Sequence, residues 1–252
     1  MADGGQGVVT AGMLVIGDEI LSGRTKDKNI GYVAEFLTNI GIDLKEVRVV
    51  ADEEREIVEA LNALRHRYTY VFTTGGIGPT HDDITADSVA KAFGVPIDVD
   101  PRARALLEAR FPDGQLNEAR LRMARIPAGA DLVTNRVSAA PGFHIGNVFV
   151  MAGVPSIMQA MMDMIGPQLV TGVRILSETV RADAREGDVG TALGEIASAH
   201  PHVSIGSYPF FDEARGPNTN IVVRSRDPEK LAAAKQAVEQ MLVKVKGPLP
   251  PR

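Results

Sequence analysis

Through its first two-thirds, the chain alternates short apolar runs with longer segments in which apolar residues recur every three or four positions. The apolar runs are rich in β-branched residues and predict strands at 13–17, 44–51, 69–74 and 147–152. The longer segments predict helices; one apolar stripe ends at Gly41, and Asp100-Pro101 supplies an N-cap followed by a proline at the first helical position. This alternation predicts an α/β fold, a three-layer, mostly parallel sheet with helices on both faces.

A different order of elements begins near residue 170. It predicts a strand, a short helix, two paired strands around a loop, and a final helix, at 175–184, 189–197, 203–210, 220–226 and 227–245, with the loop at 212–219. This order indicates a small α+β domain of ferredoxin-like or KH-like form. We therefore expect a flexible arm at 1–9, a first domain at 10–168, a small domain at 173–246 and a disordered tail at 247–252.

Charge and composition narrow the classes of protein that remain. The 252 residues carry a net charge of −5 and include no cysteine. A slightly acidic balance without a basic cluster argues against nucleic-acid binding as the main function. The lack of cysteine excludes disulfides, thiol catalysis and cysteine-ligated zinc. Because no apolar run reaches membrane-spanning length and the N-terminus has no signal-peptide pattern, we expect a cytoplasmic protein that binds no membrane.

A KH-like small domain would suggest RNA binding, which requires a Gly-x-x-Gly clamp beside basic residues. The nearest candidate, Gly187-Asp188-Val189-Gly190, carries an acid that would repel a phosphate backbone. We therefore expect no nucleic-acid partner. The small domain is expected to shape an edge of the active site or to form a dimer contact.

The segment from Val71 to Thr85 predicts a phosphate site. An apolar strand leads into Gly75-Gly76-Ile77-Gly78, and the pattern predicts that a helix follows whose first turn carries Asp82 and Asp83. Free N–H groups and partial positive charge at a helix start attract phosphate, and glycines let a bulky anion approach the backbone. Because the two carboxylates would repel that anion, we expect Mg²⁺ between them.

Two standard phosphate loops do not fit this segment. A P-loop requires Lys-Ser or Lys-Thr where Pro79-Thr80 stands, and the dinucleotide fingerprint requires a glycine where His81 stands. The alternative without a ligand is a tight turn followed by an N-cap from Asp82, Asp83 or Thr80. That alternative does not explain the crowding of acids and threonines in one turn.

Acids also follow the two preceding strands. Asp18-Glu19 follows the first strand and Asp52 the second, and ligands of open α/β sheets bind at the carboxyl ends of the strands. The alternative is that each acid is an ordinary surface turn residue. The five histidines lack zinc-site spacing, and no serine-nucleophile motif occurs. The candidate contacts to phosphate or ribose are Ser22, Thr74, Gly75, Gly76, Gly78, Thr80 and Asn135.

Several motifs together resemble one family. Thr74-Gly-Gly-Ile-Gly-Pro-Thr-x-Asp-Asp-Ile-Thr85 is similar to the signature of the molybdopterin-binding domain shared by MogA, MoaB, MoeA and CinA proteins. Its Gly-Pro-Thr-x-Asp-Asp form resembles the CinA branch and the N-terminal domain of eukaryotic FAD synthases. Matching pieces appear in the same order over residues 10–168. They are Gly17 to Gly23 with Asn29, Asp52, Ile126 to Ala130, Asn135, Ala140-Pro141-Gly142 and Gly153-Val154-Pro155.

The chain departs from the family pattern in a few places. Ala152 replaces a usual proline, Ile157 replaces a common glutamate, and Ser138-Ala139 replaces a Gly-Thr pair. These positions are expected on the far wall of the pocket. We expect no C-terminal deamidase domain of the kind that many CinA proteins carry, because the chain is too short for it.

The resemblance implies a Mg²⁺-dependent hydrolase of a nucleotide pyrophosphate such as ADP-ribose or FAD, acting as a homodimer or homotrimer. For this chemistry the residues themselves suggest Asp82, Asp83 and Glu19 as metal ligands, and Asp83, Asp52 and Asp18 as catalytic residues. Two alternatives remain open at this point. One is a molybdenum-cofactor biosynthesis protein that adenylates or metallates molybdopterin, and the other is a non-catalytic pterin- or nucleotide-binding module.

Overall fold

The computed structural model describes residues 8–112 and 114–246. Residues 1–7 of the predicted arm and the whole predicted tail at 247–252 lie outside the described residues. Contacts divide the chain into two compact units, with the division between Gly172 and Val173. Within the described part, none of the helices combines the length and the apolar character needed to cross a membrane.

The first unit alternates strands and helices, and we number both in chain order. The strands are β1 (Thr10–Ile16), β2 (Asp43–Val50), β3 (Tyr70–Thr74), β4 (Ile97–Val99), β5 (Arg125–Pro127), β6 (Asp131–Val133), β7 (Gly142–Ile145) and β8 (Val148–Met151). The helices are α1 (Asp18–Leu21), α2 (Asn29–Asn39), α3 (Glu54–Arg65), α4 (Thr85–Phe93), α5 (Pro101–Arg110), α6 (Glu118–Leu121) and α7 (Pro155–Ile165). Asp100 caps α5 as expected, accepting from the N–H of Arg102 at 2.7 Å.

Six strands of this unit form the central sheet, in the order β2-β1-β3-β8-β7-β6. The first four run parallel to one another, with Met13 beside Phe72 and Val15 beside Thr74. Strand β7 is antiparallel to both of its neighbours, β8 and β6, and β4 and β5 form a separate antiparallel pair. The predicted mostly parallel sheet is therefore confirmed.

Side-chain alternation along the strands supplies a hydrophobic core on each face of the sheet. On β1, Leu14 packs into the core that includes helices α3, α4 and α5, whereas Met13 packs into the core that includes α2 and α7. The apolar stripe of α7 is core packing, as predicted, and its buried members are Met158, Met161, Met162 and Ile165. Helices on both faces complete the three layers.

The second unit is a small α+β domain. Its elements are β9 (Leu176–Arg181), α8 (Glu186–Ala199), β10 (Ser204–Asp212), β11 (Gly216–Ser225) and α9 (Pro228–Lys246), and its antiparallel sheet has the order β10-β11-β9. The predicted order of elements is confirmed. Helices α8 and α9 contribute to a core of its own, which includes Val189, Ile221 and Val238.

Two details of the second unit differ from the sequence interpretation. The predicted loop at 212–219 is wrong, because Asp212 pairs with Gly216 and the strands continue to a three-residue turn. The N–H groups of Ala214 and Arg215 donate to Oδ1 of Asp212 and close this turn. The polar residues after the turn therefore stay paired in the β10–β11 strand ladder. The Gly187-to-Gly190 segment lies within α8 and is not a loop clamp.

Candidate functional site

The glycine-rich segment forms a ten-residue loop, from Gly75 to Ile84, between β3 and α4. The prediction that Asp82 and Asp83 occupy the first turn of the following helix is wrong, because α4 begins at Thr85 and its first-turn acid is Asp87. Both acids therefore stand on the loop, in front of the helix.

Hydrogen bonds within the loop explain the late start of α4. The N–H and hydroxyl of Thr80 donate to Oδ2 of Asp83, over 2.8 and 2.6 Å, and close a turn after Pro79. The N–H of Thr85 donates to the carbonyl of Gly76 at 3.0 Å, and its hydroxyl donates to the carbonyl of Gly75 at 3.0 Å. Side-chain bonding of this local kind competes with helix formation.

The backbone conformation and close packing of the loop require its glycines. Gly75 and Gly76 have φ of 104° and 64°, in the left-handed region that favours glycine. A Cβ on Gly75 would lie 2.1 Å from the Ile16 carbonyl oxygen, and one on Gly76 would lie 2.2 Å from the Thr85 hydroxyl oxygen. A Cβ on Gly78 would lie 2.6 Å from the Asp83 carboxylate. The fold therefore requires glycine at these positions whether or not a ligand binds.

The same backbone nevertheless presents free donors. The N–H groups of Gly76, Ile77 and Gly78 donate to no other atom of the described residues, whereas that of Gly75 donates to Met151 at 3.2 Å. Successive N–H groups around residues of positive φ form a concavity suited to an anion. This feature supports phosphate binding independently of the helix start.

The acids after β1 and β2 are joined by a hydrogen bond. The N–H of Asp18 donates to Oδ2 of Asp52 at 2.9 Å. Burial raises the pKa of the half-buried Asp52 carboxyl above its ordinary value of 3.8, and the nearby negative charges of Asp18, Glu19 and Asp82 raise it further. The carboxyl ends of three neighbouring parallel strands therefore place their acids within electrostatic reach of one another, as the sheet topology predicts.

A cavity of about 370 Å³ opens beside the glycine loop. Its acidic lining residues within the described chain are Glu19 and Asp83, which extend from different strand ends. Gly76 and Gly78 contribute to its lining, and so do Ala152, Ser138 and Ile157, three of the positions at which the chain departs from the family pattern. The cavity therefore combines a polar, acidic edge with a largely apolar wall.

Other predicted site residues lie around this cavity rather than on its described lining. Asp82 is exposed, Thr80 is engaged with Asp83, and Ser22 is exposed at the end of α1, where its N–H donates to Asp18 O at 2.8 Å. Asn135 holds the adjoining loop, because its Oδ1 accepts from the N–H groups of Val137 and Ser138. Thr74 is buried and lines a second, adjacent cavity.

Arg122 is a residue of this region that the sequence interpretation missed. It lines a small recess with Gly76, Gly78 and Asp83, and its Nη2 lies 3.5 Å from the Asp83 carbonyl oxygen. Its buried Nε has no hydrogen-bond partner among the described residues. The cation lies about forty positions after the glycine loop, too far along the chain for local spacing to reveal it.

Comparison with known proteins gives two family matches, one in each unit. Residues 12–171 match the family described as a probable molybdopterin binding domain, and residues 174–246 match the family described as the middle domain of FAD synthase. The chain belongs to the molybdopterin-binding domain family. The resemblance identified from the sequence motifs is confirmed.

Relatives of this molybdopterin-binding domain protein match most of its length. A protein of Archaeoglobus fulgidus is 30% identical over 91% of this chain and 96% of its own length. A probable FAD synthase of Caenorhabditis briggsae is 29% identical over 93% of this chain, which spans 50% of that longer protein. A crystal structure described as CinA, of unknown function, from Thermoplasma acidophilum is 32% identical with a TM-score of 0.61, covering 64% of this chain and 98% of that one.

The family's fold and the cavity together suit a small-molecule ligand. Within residues 8–112 and 114–246, no three His, Asp or Glu side chains are grouped so that they could hold a metal ion by themselves. Mg²⁺ is commonly bound through one or two carboxylates together with phosphates of the substrate. Glu19 and Asp83 could supply two such oxygen ligands.

Proposed function

We propose that the protein hydrolyses a nucleotide pyrophosphate, FAD or ADP-ribose, with the help of Mg²⁺. The observation that carries this proposal is the convergence of three free loop N–H groups with the Glu19 and Asp83 carboxylates on one 370 Å³ cavity. The N–H groups suit one phosphate of a pyrophosphate. The carboxylates would repel the second phosphate unless a divalent cation joined them to it.

Each group then has a distinct role. Glu19 and Asp83 would hold Mg²⁺, which when bound neutralises charge on the phosphates and stabilises the charge that develops during attack. The free N–H groups of Gly76 to Gly78 bind and orient one phosphate without having to reorganise. Arg122, beside Asp83, adds positive charge under the loop.

Asp52 is the proposed general base. Its raised pKa makes its carboxylate a better proton acceptor than an ordinary exposed aspartate. Asp52 accepts a proton from the attacking water, whose oxygen forms a bond to one phosphorus. The bond from that phosphorus to the bridging oxygen breaks, and the other phosphate leaves with the electron pair. AMP is the leaving group when the other phosphorus is attacked, and it is the hydrated product when the adenylate phosphorus is attacked. The N–H of Asp18 holds the Asp52 carboxylate in place, so Asp18 is a positioning residue.

Similarity to FAD synthase supports a flavin nucleotide as a first substrate to test. The small domain matches the FAD synthase middle domain, and both units together match one half of a probable FAD synthase. FAD contains the same adenylate pyrophosphate linkage as ADP-ribose, so one site could accept either ligand.

Molybdopterin binding is the second candidate. The family description and the apolar wall at Ile157 and Val154 favour it, because a flat ring system requires such a wall. In that case the free loop N–H groups would hold the single phosphate of the pterin. The acids would then serve ATP with Mg²⁺ or the incoming metal.

The test is product analysis with the purified protein and Mg²⁺. FAD, ADP-ribose, and molybdopterin with ATP are supplied separately, and products are followed by mass spectrometry. We expect AMP from FAD or ADP-ribose with the wild type and not with Asp83→Asn. Asp163→Asn, which removes an exposed carboxylate from α7, is the matched control. Adenylated molybdopterin without AMP from either dinucleotide would support the second candidate instead.

A further inference from the structure

A second cavity, of about 240 Å³, adjoins the glycine-loop cavity. The two share Glu19 and Gly153 in their linings. The second cavity lies between the end of β3 and the start of α2, and Lys26 and Lys28 line it with the buried residues Asn29 and Thr74. The proposed hydrolysis uses neither these lysines nor Asn29.

Two buried polar atoms of this cavity lack a partner. Asn29 is 4% exposed and Thr74 is 1% exposed, and neither Asn29 Oδ1 nor Thr74 Oγ1 has a hydrogen-bond partner among the described residues. The Asn29 side chain is oriented, because its Nδ2 donates to the Gly153 carbonyl at 2.8 Å. Leaving such atoms unsatisfied is costly, so a ligand that satisfies both would gain from doing so.

The hydrogen-bonding capacity of these two atoms determines which chemical group of a ligand could satisfy them. Asn29 Oδ1 can only accept a hydrogen bond, so its partner must be a donor, which a fully ionised phosphate is not. The Thr74 hydroxyl can donate or accept. Adjacent sugar hydroxyls offer both functions to the two residues, whereas an inorganic anion satisfies only one of them.

The charges at the mouth of the cavity add a second requirement. Lys26 and Lys28 are exposed, and within the described part of the chain neither forms an ion pair. The acid between them, Asp27, is turned to the backbone, where its Oδ1 accepts from the N–H of Ile30 at 2.8 Å. Two unpaired ammonium groups favour a phosphate attached to the sugar.

We propose that this second cavity binds the phosphosugar end of the ligand. Asn29 and Thr74 bind the sugar hydroxyls, and Lys26 and Lys28 bind the attached phosphate. This assignment rests on the proposed function in taking a phosphosugar-bearing nucleotide as the ligand. It places the ligand across Glu19 and Gly153, with the sugar and its phosphate in the second cavity and the other phosphate at the glycine loop, so that the bond between the two phosphates lies beside Glu19.

The test uses ribose 5-phosphate, which requires only the second cavity, and follows its binding by ligand-observed NMR. Thr74→Val preserves shape and removes the unpartnered hydroxyl. Thr73→Val is the matched control, because Thr73 is equally buried with an unpartnered hydroxyl but points to the other face of β3. We expect Thr74→Val to weaken binding by about tenfold, without lowering the melting temperature of the free protein, and Thr73→Val to leave binding unchanged.

The charged half of the proposal is tested with Lys26→Gln/Lys28→Gln. This double variant should weaken the binding of ribose 5-phosphate by about tenfold at low salt and by less at high salt, because salt screens exposed charges. Asp83→Asn should leave the binding of ribose 5-phosphate unchanged while abolishing AMP release. A failure of the hydrolase proposal can therefore be distinguished from a failure of this inference. Absence of saturable binding up to about 10 mM would overturn the inference. So would equal affinities of the Thr73→Val and Thr74→Val variants for ribose 5-phosphate, which would show that the Thr74 hydroxyl does not bind the sugar.

Discussion

Thr80 donates two hydrogen bonds to a single oxygen of Asp83, from its N–H at 2.8 Å and from its hydroxyl at 2.6 Å. These two hydrogen bonds hold the Asp83 carboxylate against Gly78 at the edge of the cavity. Within the described chain, Oδ1 of Asp83 accepts no hydrogen bond and stays available to a cation. Thr80, three residues earlier in the chain, therefore orients the carboxylate of Asp83, the proposed metal ligand.

Removal of the Thr80 hydroxyl should affect turnover more than stability. Thr80→Val keeps the backbone N–H bond but frees one side of the Asp83 carboxylate, so we expect about a tenfold loss of AMP release with little change in melting temperature. Thr80→Ser retains the hydroxyl and should retain most of the activity. Equal activities of the valine and serine variants would show that this hydrogen bond does not position Asp83 for the reaction.

Substitution of Asp83 should lower turnover far more than substitution of the adjacent Asp82. Asp83 lines the cavity, whereas Asp82 is exposed beside it. We expect Asp83→Asn to lower AMP release by at least about 100-fold and Asp82→Asn to lower it by much less, because only the first removes a ligand from the cavity. Steady-state kinetics over a Mg²⁺ titration measures both. Similar losses would instead support the metal-ligand role that the sequence predicts for Asp82.

Gly76→Ala should destabilise the protein more than a substitution at an equally left-handed but open glycine. Gly94, after α4, has φ 67° and no atom within 4 Å of the position that a Cβ would take, so Gly94→Ala should cost about 1 kcal/mol of unfolding free energy. At Gly76 the methyl group would also displace the Thr85 hydroxyl, adding about 1–2 kcal/mol. Urea denaturation of both variants checks this order, and equal losses would contradict it.

Asp52→Asn should stabilise the unliganded protein at pH 7. Asn can still accept from the N–H of Asp18, while the negative charge that burial and the neighbouring acids disfavour is removed. The raised pKa means that the ionised Asp52 costs stability at every pH above it. That cost declines as the pH falls through the raised pKa and vanishes below the ordinary value of 3.8.

Denaturation of both proteins in EDTA, at several pH values, measures this difference. The advantage of Asp52→Asn should be largest near neutral pH and disappear in acid. The same variant should lose about 10²- to 10⁴-fold in turnover, as expected for a general base. In the wild type, activity should decline as the pH falls through the raised pKa. A variant less stable than the wild type at pH 7 would contradict the electrostatic explanation.

The sequence was sufficient to predict the sheet and much of the site, for physical reasons. Apolar runs and helical stripes are local signals, and parallel topology brings the ends of β1, β2 and β3 to one edge, so Glu19, Asp52 and Asp83 could be grouped from the order of strands and acids along the chain. The start of α4 could not be predicted, because Thr80 and Thr85 side chains bond locally and extend the loop. Arg122 escaped detection because its proximity to the loop depends on tertiary packing.

The two units should fold independently. Each has a separate hydrophobic core, and the contact division falls between Gly172 and Val173. A fragment ending at Gly172 should unfold cooperatively and bind pyrophosphate with Mg²⁺, since the proposed binding residues lie in the first unit. Calorimetry and binding measurements on the fragment test this. A folded fragment without affinity would show that the second unit contributes to the site.

The most direct test of the proposed hydrolysis is to follow AMP release from FAD and ADP-ribose in water enriched in ¹⁸O. With the wild type and Mg²⁺, we predict one ¹⁸O atom per pair of products, in AMP or in its phosphate-bearing partner, because water oxygen attacks one phosphorus. Asp83→Asn should release at least about 100-fold less AMP, and Asp163→Asn should behave as the wild type. Absence of AMP from both substrates, or AMP release by Asp83→Asn at the wild-type rate, would contradict the proposal.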